Sequence, residues 1–132
     1  MRKAVLADAG PLYAAVDPAD MRHLQATQEL QELALRRFDI VVSFPTLSEA
    51  YSLVLRKLGQ KIALGWLNEM MDAALINPTP EEYRQAARKL HAFADQSITL
   101  FDATLAVLAQ RTGLPVWTYD HHFDVMRVPV WR

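Results

Sequence analysis

The chain has 132 residues, no cysteine, a net charge of −1 and 52% hydrophobic residues, enough material to bury roughly two-thirds of the surface its unfolded form exposes without a disulfide or structural metal. The missing cysteines exclude thiolate zinc sites and suit a reducing cytosol. Arg2 and Lys3 precede only four apolar residues, short of the ~7–15 of a signal core, and no later run nears the ~20 that span a bilayer, so a cytoplasmic protein away from membranes is expected.

In chain order, Ala4–Ala7 reads as a short strand buried on both faces. It ends at Asp8, followed by Gly10-Pro11, a turn signal, with a single helical turn near 11–16. A helix is predicted over 20–36 and a strand over Asp39–Ser43. The helix predicted over 46–58 opens with Thr46-Leu-Ser-Glu49, a hydroxyl cap with a carboxylate three residues on, and stops at Gly59. Its core stripe is Leu47, Ala50, Tyr51, Val54 and Leu58. A helix over 60–73 places Ile62, Trp66 and Ala73 on its core side, and a weak strand follows at Ala74–Asn77. Helices over 80–94 and 99–112 open with the same cap pattern, Thr79-Pro-Glu-Glu82 and Thr99-Leu-Phe-Asp102, and Gly113 ends the second. Strands at Pro115–Tyr119 and Val128–Trp131 complete the chain. This alternation predicts an α/β fold, a parallel sheet with helices on both faces. With no repeat or linker, residues 1–132 are expected to form one domain.

Four carboxylates sit awkwardly in this pattern. Helix 99–112 is apolar nearly all round and reads as buried, yet Asp102 enters its first turn. An unpaired buried charge costs several kcal/mol or shifts its pKa, so Asp102 is either a cap steadied by the helix's positive end or part of a site. Glu49 has the same two readings, the capping box being the simpler. Glu82, on a richly polar helix, serves as a control with a capping role alone. Asp120 follows the apolar "LPVWTY" as Asp8 follows "AVLA". In open α/β sheets ligands collect beyond the carboxyl ends of the strands, where strand order reverses. Two aspartates released there and two acids from helix starts can therefore converge on a divalent cation. All are hard oxygen donors, which suit Mg²⁺ or Mn²⁺, and such a cluster points to phosphoryl-transfer chemistry with an activated water. Mutual repulsion in the metal-free cluster predicts raised pKa values. Setting these four acids aside leaves fewer acidic than basic residues, an exterior compatible with RNA.

The segments "LADAGPLYAAVDPAD", "PTLSEAYSLVLRKLG", "ADQSITLFDATLAVLAQRTGLPV" and "TYDHHFD", in that order and spacing, resemble the PIN-domain family, especially the VapC-type toxin ribonucleases of toxin–antitoxin pairs. The resemblance covers essentially the whole chain. It implies a three-layer α/β/α sandwich around a short-stranded, mostly parallel central sheet, with the first strand central beside the one ending near Asp120. It also implies a Mg²⁺-dependent endoribonuclease, a homodimer held inactive by a small antitoxin. The family's acidic quartet falls on Asp8, Glu49, Asp102 and Asp120, with Asp8 and Asp102 as principal metal ligands and the other two completing the cluster and positioning the attacking water. Asp124 is a candidate fifth acid, Thr118 a supporting hydroxyl, and Asp95 a further support for the acidic pocket or a solvated loop residue. Family members commonly have Thr or Ser after the first aspartate; here the residue is Ala9.

Other features have plain readings. His121 and His122 read as exposed residues of a polar turn rather than ligands. Arg84, Arg88 and His91 read as a solvated helix face. Arg56, Lys57 and Lys61 are candidate RNA contacts or simply an exposed helix end. Trp66, Met70 and Met71 read as core before interface. A phospho-accepting receiver would need a lysine after the last strand, and none follows Lys89; a haloacid-type phosphatase would need an acid at the position of Gly10. The remaining rival is a PIN-like module that binds RNA or protein without cutting.

Overall fold

In the computed structural model, which describes residues 3–132, four parallel strands form one sheet in the order β3-β2-β1-β4. The strands are β1 (Lys3–Ala7), β2 (Phe38–Ser43), β3 (Ala74–Ile76) and β4 (Val116–Trp117). The helices are α1 (Ala9–Val16), α2 (His23–Leu35), α3 (Phe44–Leu58), α4 (Gln60–Met70), α5 (Pro80–Ala92), α6 (Leu100–Thr112) and α7 (His122–Val125). The chain steps outward from β1 to β3 and then crosses back to place β4 on the other side of β1. The point where strand order reverses therefore lies between β1 and β4, and the residues leaving both strands meet there.

The pleat sends alternate residues of β1 to opposite layers. Val5 and Ala7 pack with Leu12, Leu33, Val54, Trp66 and Trp117 under α1 to α4, whereas Leu6 packs with Leu105, Leu108, Val116 and Phe123 under α6 and α7. Helix α5 closes on α6 through Ala86, Ala103 and Val107. The result is the predicted α/β/α sandwich, and the nearly all-apolar α6 is buried over Asp102–Ala109. No helix among the described residues is long and apolar enough to cross a membrane.

Local signals explain most of the boundaries. Thr79–Glu82 and Thr99–Asp102 both form reciprocal capping boxes. Gly113, at φ 71°, takes the left-handed conformation that ends α6, where a side chain would be strained. Glu82 adds to its cap a contact the sequence pattern did not indicate: Arg111 of α6 donates to its carboxylate and to the Asn77 carbonyl, joining α6 to the start of α5.

Five expectations are corrected. Gly10-Pro11 is not a turn: α1 begins at Ala9, because a proline in a first helical turn has no N–H that the helix needs. Helix α3 begins at Phe44, not Thr46. Ser43 is its cap, its Oγ accepting from the Thr46 N–H at 3.3 Å, and Pro45 fits the first turn. Val128–Trp131 is no strand; it contributes one bridge, Val116 to Val130. The segment after Asp120 makes the short helix α7, leaving His121 exposed but His122 half-buried. Ile62 is 47% exposed, while Ala63 and Trp66 carry the buried side of α4.

Trp117 ties the layers together. It is fully buried, and its indole Nε1 donates to Oε1 of Glu29 on α2 at 3.0 Å. Trp117→Ala is expected to cost about 3–5 kcal/mol, measured as a shift of the urea unfolding midpoint at unchanged slope.

Candidate active site

Asp8 leaves β1 at the reversal point and has two structural duties. Its Oδ1 accepts from the Ala9 N–H at 2.8 Å, capping α1, and its own N–H donates to the Trp117 carbonyl at 2.9 Å. Its other oxygen, Oδ2, accepts from the Thr118 hydroxyl at 2.7 Å. The same hydroxyl oxygen accepts from the Asp120 N–H at 2.9 Å. Thr118 thereby couples the two aspartates released by neighbouring strands and contacts Asp8 where Ala9 offers only a backbone N–H.

Asp102 caps α6 and lines a cleft at the same time. Its N–H donates to Thr99 Oγ1 at 3.1 Å and its Oδ2 accepts the Thr99 N–H at 3.4 Å, yet it also faces the cleft. Glu49 does not cap. With α3 starting at Phe44, it lies in the second turn, where backbone N–H groups are already paired along the helix. Its carboxylate is left to point elsewhere.

That place is a cleft of about 500 Å³ whose walls include Asp8, Glu49, Asp102 and Asp120 together with Gly10 and Tyr119. The electrostatics agree with the geometry. Burial, reinforced by Asp102 and Asp120 and opposed by the Thr118 hydrogen bond, pushes the Asp8 carboxyl up to about 6. Burial together with Asp8, Asp102 and Asp120 pushes Glu49 up to about 7. Burial and then Asp120 raise Asp102 as well, against its hydrogen bonds to Thr99. Each of these three shifts has neighbouring carboxylates among its causes, which is the raised-pKa behaviour expected of a converging cluster. Such a set of oxygen donors fits a small hard cation, which would relieve the repulsion. Among the described residues, the donor atoms that lie within 4.8 Å of one another are those of Asp120, His121 and His122, not those of the four acids. There, however, Nδ1 of His122 has no hydrogen-bond partner although it is 2.9 Å from Asp120 Oδ1. The approach is close but not aligned, and Oδ1 already accepts the His122 N–H.

The other candidates lie apart from this cleft. Asp124 is exposed, pairs with Arg132 at 3.0 Å, and lines a neighbouring pocket. Asp95 is exposed in the segment between α5 and α6 and is not among the cleft's lining residues. Arg56 and Lys57 are exposed in the last turn of α3, with Lys57 5.2 Å from the centre of the Tyr13 ring, and Lys61 is exposed on α4. None of the three lines the cleft.

Nothing in the sequence marks Glu29, one of several polar residues on α2. Beside the Trp117 indole it accepts the Tyr119 hydroxyl at 2.5 Å, so one carboxylate gathers two side chains from alternate residues and fixes the wall at Tyr119. Thr118→Val keeps the side-chain volume but removes the donor to Asp8. It is expected to cost about 1–3 kcal/mol and to move the Asp8 carboxyl, followed by NMR titration, above its value of about 6.

The sequence matches the family model described as PIN domain over residues 5–129. The chain belongs to the PIN domain family. Solved structures with the same PIN fold include the Mycobacterium tuberculosis VapC20, described as a sarcin–ricin loop cleaving toxin, at TM-score 0.83 and 19% identity, covering 97% of this chain and 98% of that one. Two others are VapBC2 from Rickettsia felis bound to a promoter DNA fragment (TM-score 0.74, 14% identity, 98% and 97% covered) and FitAcB from Neisseria gonorrhoeae (0.71, 20%, 97% and 96%). No curated protein matches the sequence significantly. At these identities the likenesses establish the PIN fold, which they share over nearly its whole length.

Proposed function

We propose that this PIN-domain protein, as one domain over residues 1–132, is a metal-dependent endoribonuclease and the toxin of a type II toxin–antitoxin pair. The observation that carries the reading is the convergence of Asp8, Glu49, Asp102 and Asp120 on one cleft at the strand-order reversal, with three of them shifted up in pKa. Membership of the PIN domain family and the VapC, VapBC and FitAB character of its fold neighbours support the toxin role.

In this reading Asp8 and Asp102 are the principal ligands of Mg²⁺, or of Mn²⁺ in its place, and Glu49 and Asp120 complete the acidic set. When bound, the ion supplies a water of lowered pKa and a positive charge for the phosphate oxygens. Thr118 holds Asp8 and the backbone of Asp120 in register with each other. Glu49 and Asp120 orient the attacking water, which leaves a 5′-phosphate on the product. Arg56, Lys57 and Lys61, outside the cleft, attract the RNA backbone at longer range. The partners are RNA, a second copy of the chain and a small antitoxin that fills the acidic cleft.

Purified protein freed of any partner is expected to cut single-stranded RNA when Mg²⁺ or Mn²⁺ is added and to stop when EDTA removes it. Cleavage that survives EDTA would refute the metal-dependent reading. A folded protein that binds RNA and cuts none with either ion would be a PIN-like binding module instead.

A further inference from the structure

A second pocket, of about 410 Å³, lies next to the acidic cleft and shares Tyr119, Asp120 and His121 with it. The two hollows adjoin along these three residues. On the far side stand Arg22 and Gln25, both exposed near the start of α2, and Arg132. The Arg22 guanidinium sits over the Tyr119 ring, 4.8 Å from its centre, and makes no ion pair among the described residues. The three carboxylates of this pocket are already engaged: Glu29 accepts from Trp117 and Tyr119, Asp124 pairs with Arg132, and Asp120 accepts the His122 N–H.

We propose that this pocket is a subsite for one unpaired ribonucleotide flanking the bond to be cut, and that Arg22, held on Tyr119, is the cation that receives its phosphate or base. The size suits a single nucleotide. An aromatic ring with a guanidinium stacked on it is a chemistry that recognises unstacked bases, and an arginine without a carboxylate partner is available to a phosphate. The position matters most: beside four acids that repel RNA, a free cation offsets that repulsion at the next nucleotide along. The inference rests on reading the acidic cleft as the cutting site, and the experiment separates the two.

Binding is read by fluorescence anisotropy of a labelled single-stranded RNA oligonucleotide on the full chain carrying Asp102→Asn, and cleavage is read with Asp102 intact. Arg22→Ala is expected to raise Kd about tenfold, to lower the salt slope of log Kd by about one, and to raise KM with kcat within about twofold. Gln25→Trp, which fills the pocket from an exposed position, is expected to weaken single-stranded binding while leaving the circular dichroism spectrum unchanged. Unchanged Kd, salt slope and KM in Arg22→Ala and in Arg22→Ala/Arg132→Ala overturn the subsite, as does equal binding of duplex RNA with an equal loss. Loss of a small protein inhibitor's binding with RNA affinity retained overturns it in favour of a protein-docking surface. If the Asp102-intact chain cuts no RNA but Arg22→Ala still weakens binding as stated, the nuclease reading fails and the subsite stands.

Discussion

Asp8→Asn and Asp102→Asn should each reduce metal-dependent RNA cleavage by about a hundredfold to a thousandfold, the scale at which loss of one electrostatically stabilising group acts. Both substitutions preserve shape and most of the local hydrogen bonds. An asparagine at 8 still offers an oxygen to the Ala9 N–H, and one at 102 still offers an oxygen to the Thr99 N–H, so both helix caps survive. What each removes is a negative charge facing the cleft. Glu82→Gln is the matched control: Glu82 caps α5 in the same way as Asp102 caps α6 but pairs with Arg111 away from the cleft. It should lower stability while leaving cleavage by the folded enzyme within about twofold, since the charge it loses does not reach the cleft. Gel-resolved initial rates at saturating Mg²⁺ decide the matter. Full activity in either aspartate variant would show that the cleft is not the seat of the reaction.

The second large effect is expected without any RNA. Asp8 and Glu49 have folded-state pKa values of about 6 and about 7, against ordinary values of 3.8 and 4.5. Folding therefore favours their protonated forms, and the stability they contribute is fully present below about pH 4 and lost as pH rises through about 6 to 7. Metal-free protein should accordingly melt at a lower temperature at pH 8 than at pH 5. Asp8→Asn should flatten that decline and, at pH 8, make the metal-free protein more stable by about 1–3 kcal/mol. Glu49 is only half-buried, so solvent screening makes its share smaller. Adding Mg²⁺ at about a hundred times its dissociation constant should restore about 2.7 kcal/mol to the wild type at pH 8, and much less to Asp8→Asn. Calorimetric scans across this pH range, with EDTA and with Mg²⁺, test both signs. A melting temperature that rises from pH 5 to pH 8 in EDTA, or a wild type indifferent to Mg²⁺, would contradict the clustered-acid account.

Much of the candidate site was legible because its residues break local rules. A carboxylate at the end of a doubly buried strand, and another in the first turn of an apolar helix, conflict with burial and call for a partner. Glu49 was harder to read. Thr46-Leu-Ser-Glu49 matches a capping box as well as the genuine boxes at Thr79 and Thr99 do, and the pattern contains nothing to say that Ser43 takes the cap. The cap three residues earlier, at Ser43, depends on β2 running directly into α3, and that junction freed Glu49 from a local role. Arg22 and Glu29 left no mark in the sequence because polar residues on a polar helix are ordinary; only the return of β4 beside β1 brings Trp117 and Tyr119 to Glu29 and a ring under Arg22.

Short-range physics, read from the residues alone, determined the alternation of strands and helices, two of the capping boxes, the buried character of α6 and the hard-oxygen chemistry of the acids. These depend on periodicity and on contacts three or four residues apart. Tertiary structure alone decided that Asp8 and Asp120, more than a hundred residues apart, share the hydroxyl of Thr118, that Glu49 and Asp102 face the same cleft, and that Asp95 and Asp124 do not. Strand order and the direction in which each helix leaves the sheet set those distances, and neither is encoded in any local window.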